Sequence, residues 1–193
     1  MARNPLGALV TAGSSGLCAD HIPFELVPEI GPYGALWGHV ARANPVWCET
    51  SEESEVLVIF RRANAYISPT WYPSKQVHGK VVPTWNYVVA HAYGRIRVVE
   101  EASWLKAHVQ RLTSREESAF AQPWSVGDAP AEFTEKMLTA IVGIEIQLTR
   151  LEGKWKVSQN RPIDDRKGGA EGLRIQGTNS SAQMAAYVES AKS

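Results

Sequence analysis

Ile144-Glu145-Ile146-Gln147-Leu148-Thr149 is the stretch on which the reading of the fold turns. Ile144, Ile146 and Leu148 alternate with Glu145, Gln147 and Thr149. Successive side chains of an extended chain point to opposite faces, so the segment has one apolar and one polar face, the pattern of a half-buried strand. The Glu152-Gly153 dipeptide then supplies turn chemistry, and Lys154 to Gln159 is expected to return as the second arm of a β-hairpin.

Outward from that strand, the first half of the chain reads as short strands separated by turn residues. Val56-Leu57-Val58-Ile59-Phe60 has the length and composition of a strand buried on both faces. In Gly34 to Val40, Leu36, Gly38 and Val40 share one face and Ala35, Trp37 and His39 the other. Leu6 to Thr11 and Leu17 to Val27 flank Ala12-Gly13-Ser14-Ser15-Gly16, a hairpin loop by composition that lacks the Gly-Lys-Ser/Thr ending and following helix of a phosphate loop. Ala43 to Thr50 reads as a short helical connection, Glu52, Glu53 and Glu55 as a solvated turn, Tyr66 to Val82 as an ordered loop and Asn86 to Glu100 as a long strand.

Two helices come next. Ser103 is placed to cap the first, with Leu105, Val109 and Leu112 as its stripe; Asp128 and Pro130 begin the second, with Phe133, Met137 and Ile141, and both stripes are expected to be core. A short helix is expected around Asp164 to Leu173. Hairpin-connected strands with helices inserted late predict a mainly β, antiparallel barrel with peripheral helices rather than a parallel doubly wound sheet. Residues 1–175 are read as a single domain. Residues 176–193, rich in Ser, Asn, Gln and Ala, are read as a tail that is mobile or packs only on a partner.

The 193 residues balance 20 Lys and Arg against 20 Asp and Glu, which removes the easiest argument for nucleic-acid binding; the basic residues near a cluster are Arg61-Arg62 and those around Lys154, Lys156, Arg161, Arg166 and Lys167. No apolar run reaches the roughly 18 residues of a spanning helix. No secretion signal is visible, and Cys18 and Cys48, in no metal-binding spacing, are expected as buried thiols in a reducing cytoplasm. Nucleophile elbows, zinc motifs, dinucleotide fingerprints and calcium loops are absent, so no residue is assigned a catalytic or metal-binding role.

Polar residues set among aromatics on strand ends stand out instead. A flat ring with a phosphate tail needs that mixture: aromatic walls for its faces, amides for its edge, and cations or hydroxyls for its phosphate. It is compatible with a flavin, and equally with a barrel rim satisfied without ligand. His39, with Arg42 and Asn44 beyond it, would meet a phosphate or sugar chain or serve as a hydrogen-bonded rim histidine; His21 and His39 also leave haem iron as an alternative. Pro83 extends the entry that presents Thr84, Trp85 and Asn86, while Ser68, Tyr72 and Lys75 lie on the aromatic loop. Lys156, Gln159, Asn160 and Arg161 end the expected hairpin.

The blocks His21-Ile22-Pro23-Phe24, Gly38 to Pro45, Tyr66-Ile67-Ser68-Pro69, Trp71 to Lys75, His78 to Tyr87, Leu151 to Lys156 and Ser158-Gln159-Asn160-Arg161 occur in the order seen in the PaiB family, which this chain resembles over Asn4 to Leu173. The resemblance implies an FMN-binding split β-barrel, Greek-key-like and related to pyridoxamine-phosphate oxidases, acting as a homodimer with flavin between subunits. On this reading the candidate cofactor-binding positions are His39, Arg42, Asn44, Ser68, Tyr72, Thr84, Trp85, Asn86, Lys156, Gln159, Asn160 and Arg161. The family's regulatory name raises DNA as a partner, although no helix-turn-helix is visible. Two departures are an N-terminal segment shorter than is usual in the family and Asp20 where Asn is common.

Overall fold

A computed structural model describes residues 4–13, 16–51 and 54–191. Ser14 and Ser15 of the first loop, and Glu52 and Glu53 of the acidic turn, lie outside the described residues. The elements are β1 (Leu6–Gly13), β2 (Gly16–Pro23), β3 (Glu25–Val27), β4 (Ala35–Ala41), α1 (Val46–Glu49), β5 (Glu55–Ile67), α2 (Ser74–His78), β6 (Thr84–Val99), α3 (Ala102–Glu117), α4 (Ala131–Thr139), β7 (Ile141–Lys156), α5 (Ile163–Gln176) and α6 (Asn179–Ser190). Single 3-10 turns occupy Pro69–Trp71 and Val126–Asp128. The strands form one sheet in the order β2-β1-β5-β6-β7-β4-β3, and β1 with β2, β1 with β5, β3 with β4 and β4 with β7 are antiparallel. This is the mainly β split-barrel architecture with peripheral helices.

The chain divides into two compact units, Met1–Phe60 with His91–Leu151 and Arg61–Ala90 with Glu152–Ser193. In the first, the expected alternation of residues 144–149 is realised: Ile144, Ile146 and Leu148 are buried, while Glu145 and Gln147 are on the other face. Opposite them on β4, Leu36 pairs with Ile146 and Gly38 with Ile144. Burying each such aliphatic side chain contributes about 1.5–3 kcal/mol. Gly143 is required here: a Cβ would lie 2.4 Å from the Trp104 indole, so its absence lets α3 pack onto β7.

The second unit has its own core, in which Ala63, Ala65 and Ile67 of β5 and Val88 of β6 meet Val157, Ala170 and Leu173, with Met184, Ala185 and Val188 of α6. The stretch 176–193, expected as a tail, therefore supplies three core side chains. Thr178 starts α6 with a capping box to Ser181, and a low-complexity composition conceals a buried face at Ser181, Met184, Ala185 and Val188.

Several expectations are corrected. Glu152-Gly153 makes no hairpin: β7 runs straight through it to Lys156, because Gly153 stays extended with the Trp155 ring lying over it. Leu17 to Val27 is broken at Phe24 into β2 and β3. The 66–82 loop contains a 3-10 turn and α2. Ser103 does not cap α3, whose N-cap is Glu101; Asp128 ends the preceding 3-10 turn and accepts from the amide of its N-cap, Ser125, while the N-cap of α4 is Pro130. Of the first helical stripe, Leu105 is buried. The α4 stripe is not core: Phe133 and Met137 are exposed by 55% and 42%, and no residue of α4 is buried. Cys18 and Cys48 are exposed free thiols rather than core residues: Cys18 lies in an edge strand whose residues 16–19 are all exposed, and Cys48 lies in a one-turn helix whose buried residue is Val46.

Candidate functional site

Buried polar atoms left without a hydrogen-bond partner mark two loci. In the first unit they include, besides Thr50 Oγ1 and Arg115 Nη2, the indole nitrogens of Trp37 and Trp104 and Nδ1 of His108. Trp104 stacks on His108 with centroids 5.3 Å apart, and Trp37 lies 4.8 Å from Trp104. His39 Nδ1 is 3.2 Å from His108 Nε2, so one neutral imidazole donates to the other. His108 is fully buried, and burial, followed by the repulsion of His39, Arg111 and Arg115, pushes its pKa down to about 3; burial also lowers that of His39. Glu25 Oε2 lies 3.7 Å from His108 Nδ1, but Glu25 is taken up by Arg111 at 3.1 Å, and the desolvation of His108 prevails.

The other predicted residues of this unit are engaged by the protein. Arg42 pairs with Glu100 at 2.7 Å and donates to the carbonyls of Thr139 and Ile141. Asn44 donates to Asp20 at 2.6 Å and accepts from the Val46 amide. Asp20 thus has a partner of its own. His39 also lines a cavity of about 230 Å³ walled by Trp124, Phe133, Met137 and Ile141.

The second locus lies wholly within the second unit. Its unpartnered atoms are Tyr72 Oη, Asn86 Oδ1 and Arg62 Nε. Asn86 is completely buried, and its Nδ2 donates to Ser158 Oγ at 2.8 Å, which fixes the amide and leaves Oδ1 as an unused acceptor. Ser158 has φ 61°, a left-handed conformation costing a non-glycine residue about 1–3 kcal/mol. The Arg161 guanidinium sits 5.2 Å from the Tyr72 ring centre. Burial raises the Tyr72 pKa, opposed by Arg161 and Ser158, which lie close to the hydroxyl without a well-formed hydrogen bond.

Around this centre, Lys154 and Lys156 place their Nζ atoms 5.8 and 5.9 Å from the Tyr87 ring. Trp85, half exposed, donates to Asn64 at 3.2 Å and meets Tyr66 edge-on. Thr84 is half-buried at the start of β6 and Asn160 is exposed. Gln159 folds back on Trp155 O and Val157 N, and Ser68 caps the 3-10 turn by accepting from Thr70 N. The structure therefore brings Tyr72, Asn86 and Arg161 together through Ser158, whereas Ser68 and Gln159 make local contacts. Sequence reasoning missed Ser158, Tyr87 and His108. The partner of His39 lies 69 residues away on a helix, and nothing local signals the left-handed turn at Ser158.

An unused amide acceptor, a buried phenol and a guanidinium that has no carboxylate partner among the described residues, beside further cations, are what a planar heterocycle with a phosphate tail requires, so these residues fit a flavin mononucleotide. The architecture is that of a split β-barrel protein. The fold resembles the FAD and heme binding protein of Mycobacterium smegmatis, with a TM-score of 0.54 and 14% identity over 80% of this chain and 67% of that one. Residues 1–150 match the family described as "Putative FMN-binding domain", and the chain belongs to that family. An uncharacterized protein of Emericella nidulans is 36% identical, covering 96% of this chain and 88% of its own. Protease synthase and sporulation protein PAI 2 of Bacillus subtilis is 30% identical, covering 97% and 87% respectively.

Proposed function

We propose that this protein binds FMN through its second unit and works as a homodimer, as a flavin-dependent redox or flavin-sensing protein of PaiB type. The observation that carries the reading is the pair of buried, unsatisfied polar atoms, Asn86 Oδ1 and Tyr72 Oη, beside Arg161. Leaving such groups buried and unpaired costs about 1–3 kcal/mol each, a cost that a ligand supplying partners removes. Asn86 accepts an N–H from the ring edge, Tyr72 donates, and Arg161 with Lys156 meets the phosphate. Thr84, Trp85 and Asn160 contribute at the rim, and Ser68 and Gln159 shape the backbone there. His39, Arg42 and Asn44, already engaged in the first unit, act structurally. Bound flavin supplies electron transfer, and the protein holds and orients it.

Charge supports the same placement. The second unit has eleven Lys and Arg against five Asp and Glu, a field that favours a phosphate. That excess also supports a second reading, a regulator without turnover that uses the basic unit on DNA, in keeping with the sporulation role in the name of the Bacillus relative. It predicts DNA binding that weakens steeply with salt.

The visible spectrum of the purified protein, before and after FMN addition and desalting, tests the reading. A flavin band near one per chain is expected. A Soret band would point to haem, and a colourless protein to a flavin-independent role.

A further inference from the structure

The family match ends at residue 150, yet the most constrained packing in the second unit involves the helices α5 and α6, which lie beyond that residue. Asp165, at the start of α5, is 2% exposed, and its two carboxylate oxygens accept from the amide of Ser74 at 3.1 Å and its hydroxyl at 2.6 Å. Ser74 is the first residue of α2, and the N-cap of that helix is Pro73, which makes no side-chain cap. Asp165 therefore supplies the cap from 91 residues away, satisfying an amide that the local sequence leaves open.

One turn further along α5, the backbone closes on the same segment. A Cβ at Gly168 would lie 2.1 Å from the Trp71 carbonyl oxygen, and one at Gly172 would lie 2.2 Å from the Trp71 indole. Such contacts admit no side chain at either position. At Gly169, the next residue, a Cβ would sit 3.7 Å from the Tyr72 ring. α6 secures the arrangement from its other side: Ser180 Oγ donates to the Asn64 carbonyl at 2.8 Å and accepts from its amide at 3.1 Å, while Asn64 Oδ1 receives Trp85.

Every element that α5 and α6 grip thus neighbours a proposed flavin contact. We infer that the α5–α6 hairpin is a positioning element: it clamps the Ser68–Ser74 segment so that Tyr72 is presented to flavin, and Asp165, Gly168 and Gly172 set flavin affinity without touching it. This inference rests on the proposed binding of flavin by the second unit. Its physical basis is preorganisation, since a segment held before binding loses less entropy on binding.

The experiment is an FMN titration of the full-length protein, followed by flavin fluorescence and visible circular dichroism, on Asp165→Asn, Ser74→Ala, Ser74→Thr and wild type, with the melting temperature of each apoprotein. Asp165→Asn and Ser74→Ala are expected to weaken FMN binding about tenfold, the loss of a hydrogen bond to a charged group. Both should raise the FMN dissociation rate and alter the flavin dichroism, and Ser74→Thr, which keeps the hydroxyl, should restore both. Wild-type protein that binds no FMN overturns the flavin reading and this inference with it. Wild type that binds FMN, alongside Asp165→Asn and Ser74→Ala variants that bind equally well, overturns the clamp alone. So does an affinity loss that Ser74→Thr fails to restore.

Discussion

The two units of this chain are built from opposite electrostatic material. The first has fifteen Asp and Glu against nine Lys and Arg, the second five against eleven, so a net charge of zero conceals one acidic and one basic body. Their cations are also used differently. In the first unit Arg42, Arg97, Arg111 and Arg115 face the carboxylates of Glu100, Glu145, Glu25 and Glu116. In the second, Arg174 pairs with Glu189, while Lys156 and Arg161 lie over Tyr87 and Tyr72. The first unit pairs these arginines with its own carboxylates, and the second sets Lys156 and Arg161 against aromatic rings. Whole-chain charge is therefore the wrong quantity from which to argue for or against an anionic ligand.

The comparison can be broken first at the cores. Leu36→Ala in the first unit and Met184→Ala in the second should each cost about 2–5 kcal/mol in denaturant unfolding, the range for truncating a fully buried side chain. A negligible loss for Met184→Ala would remove α6 from the second core.

Ligand binding separates the units more sharply. Arg161→Ala and Asn86→Ala should lower FMN affinity by roughly 10–100-fold, whereas Arg42→Ala leaves it unchanged, as read by fluorescence titration. The opposite pattern would move the site to the first unit.

Acid should act on the first unit through His108. Its folded pKa, about 3, lies below the value near 6.5 of an exposed histidine, so below pH 6.5 the unfolded chain takes up a proton that the folded chain refuses. The stability is whole above pH 6.5 and falls by up to about 1.4 kcal/mol per pH unit between there and pH 3. Unfolding followed across that range should show this slope flattened in His108→Gln.

The smallest expected effect is that of Arg42→Ala on stability, about 0.2–1 kcal/mol, because the Arg42–Glu100 pair is exposed on both sides. A larger loss would mean that its bonds to the Thr139 and Ile141 carbonyls hold the end of β4 in place.

Strands were legible wherever a period of two coincided with burial. β4 and β7 are the clear cases, since the alternation of Leu36, Gly38 and Val40 against Ile144, Ile146 and Leu148 admits one register with the apolar faces inward. Where the same signals failed, a neighbour decided. Glu152-Gly153 has the composition of a turn, yet Gly153 is extended beneath Trp155. The α4 stripe has helical spacing and forms a helix, but its apolar side chains line an open cavity instead of the core. Tyr72, Asn86 and Arg161 were each recognisable as polar or aromatic groups at a strand end or loop. Their meeting was not, because it depends on Ser158 adopting a left-handed backbone.

From sequence alone came the mainly β antiparallel class, the absence of common catalytic motifs and the blocks that mark the family, because hydrophobic periodicity and motif order are properties of neighbouring residues. The tertiary structure alone decided which cations meet carboxylates and which meet aromatic rings, that α6 is core, and that Asp165 caps a helix 91 residues away. Partnership and burial belong to the folded chain, in which residues far apart in sequence compete for the same atoms, and no local pattern records the outcome.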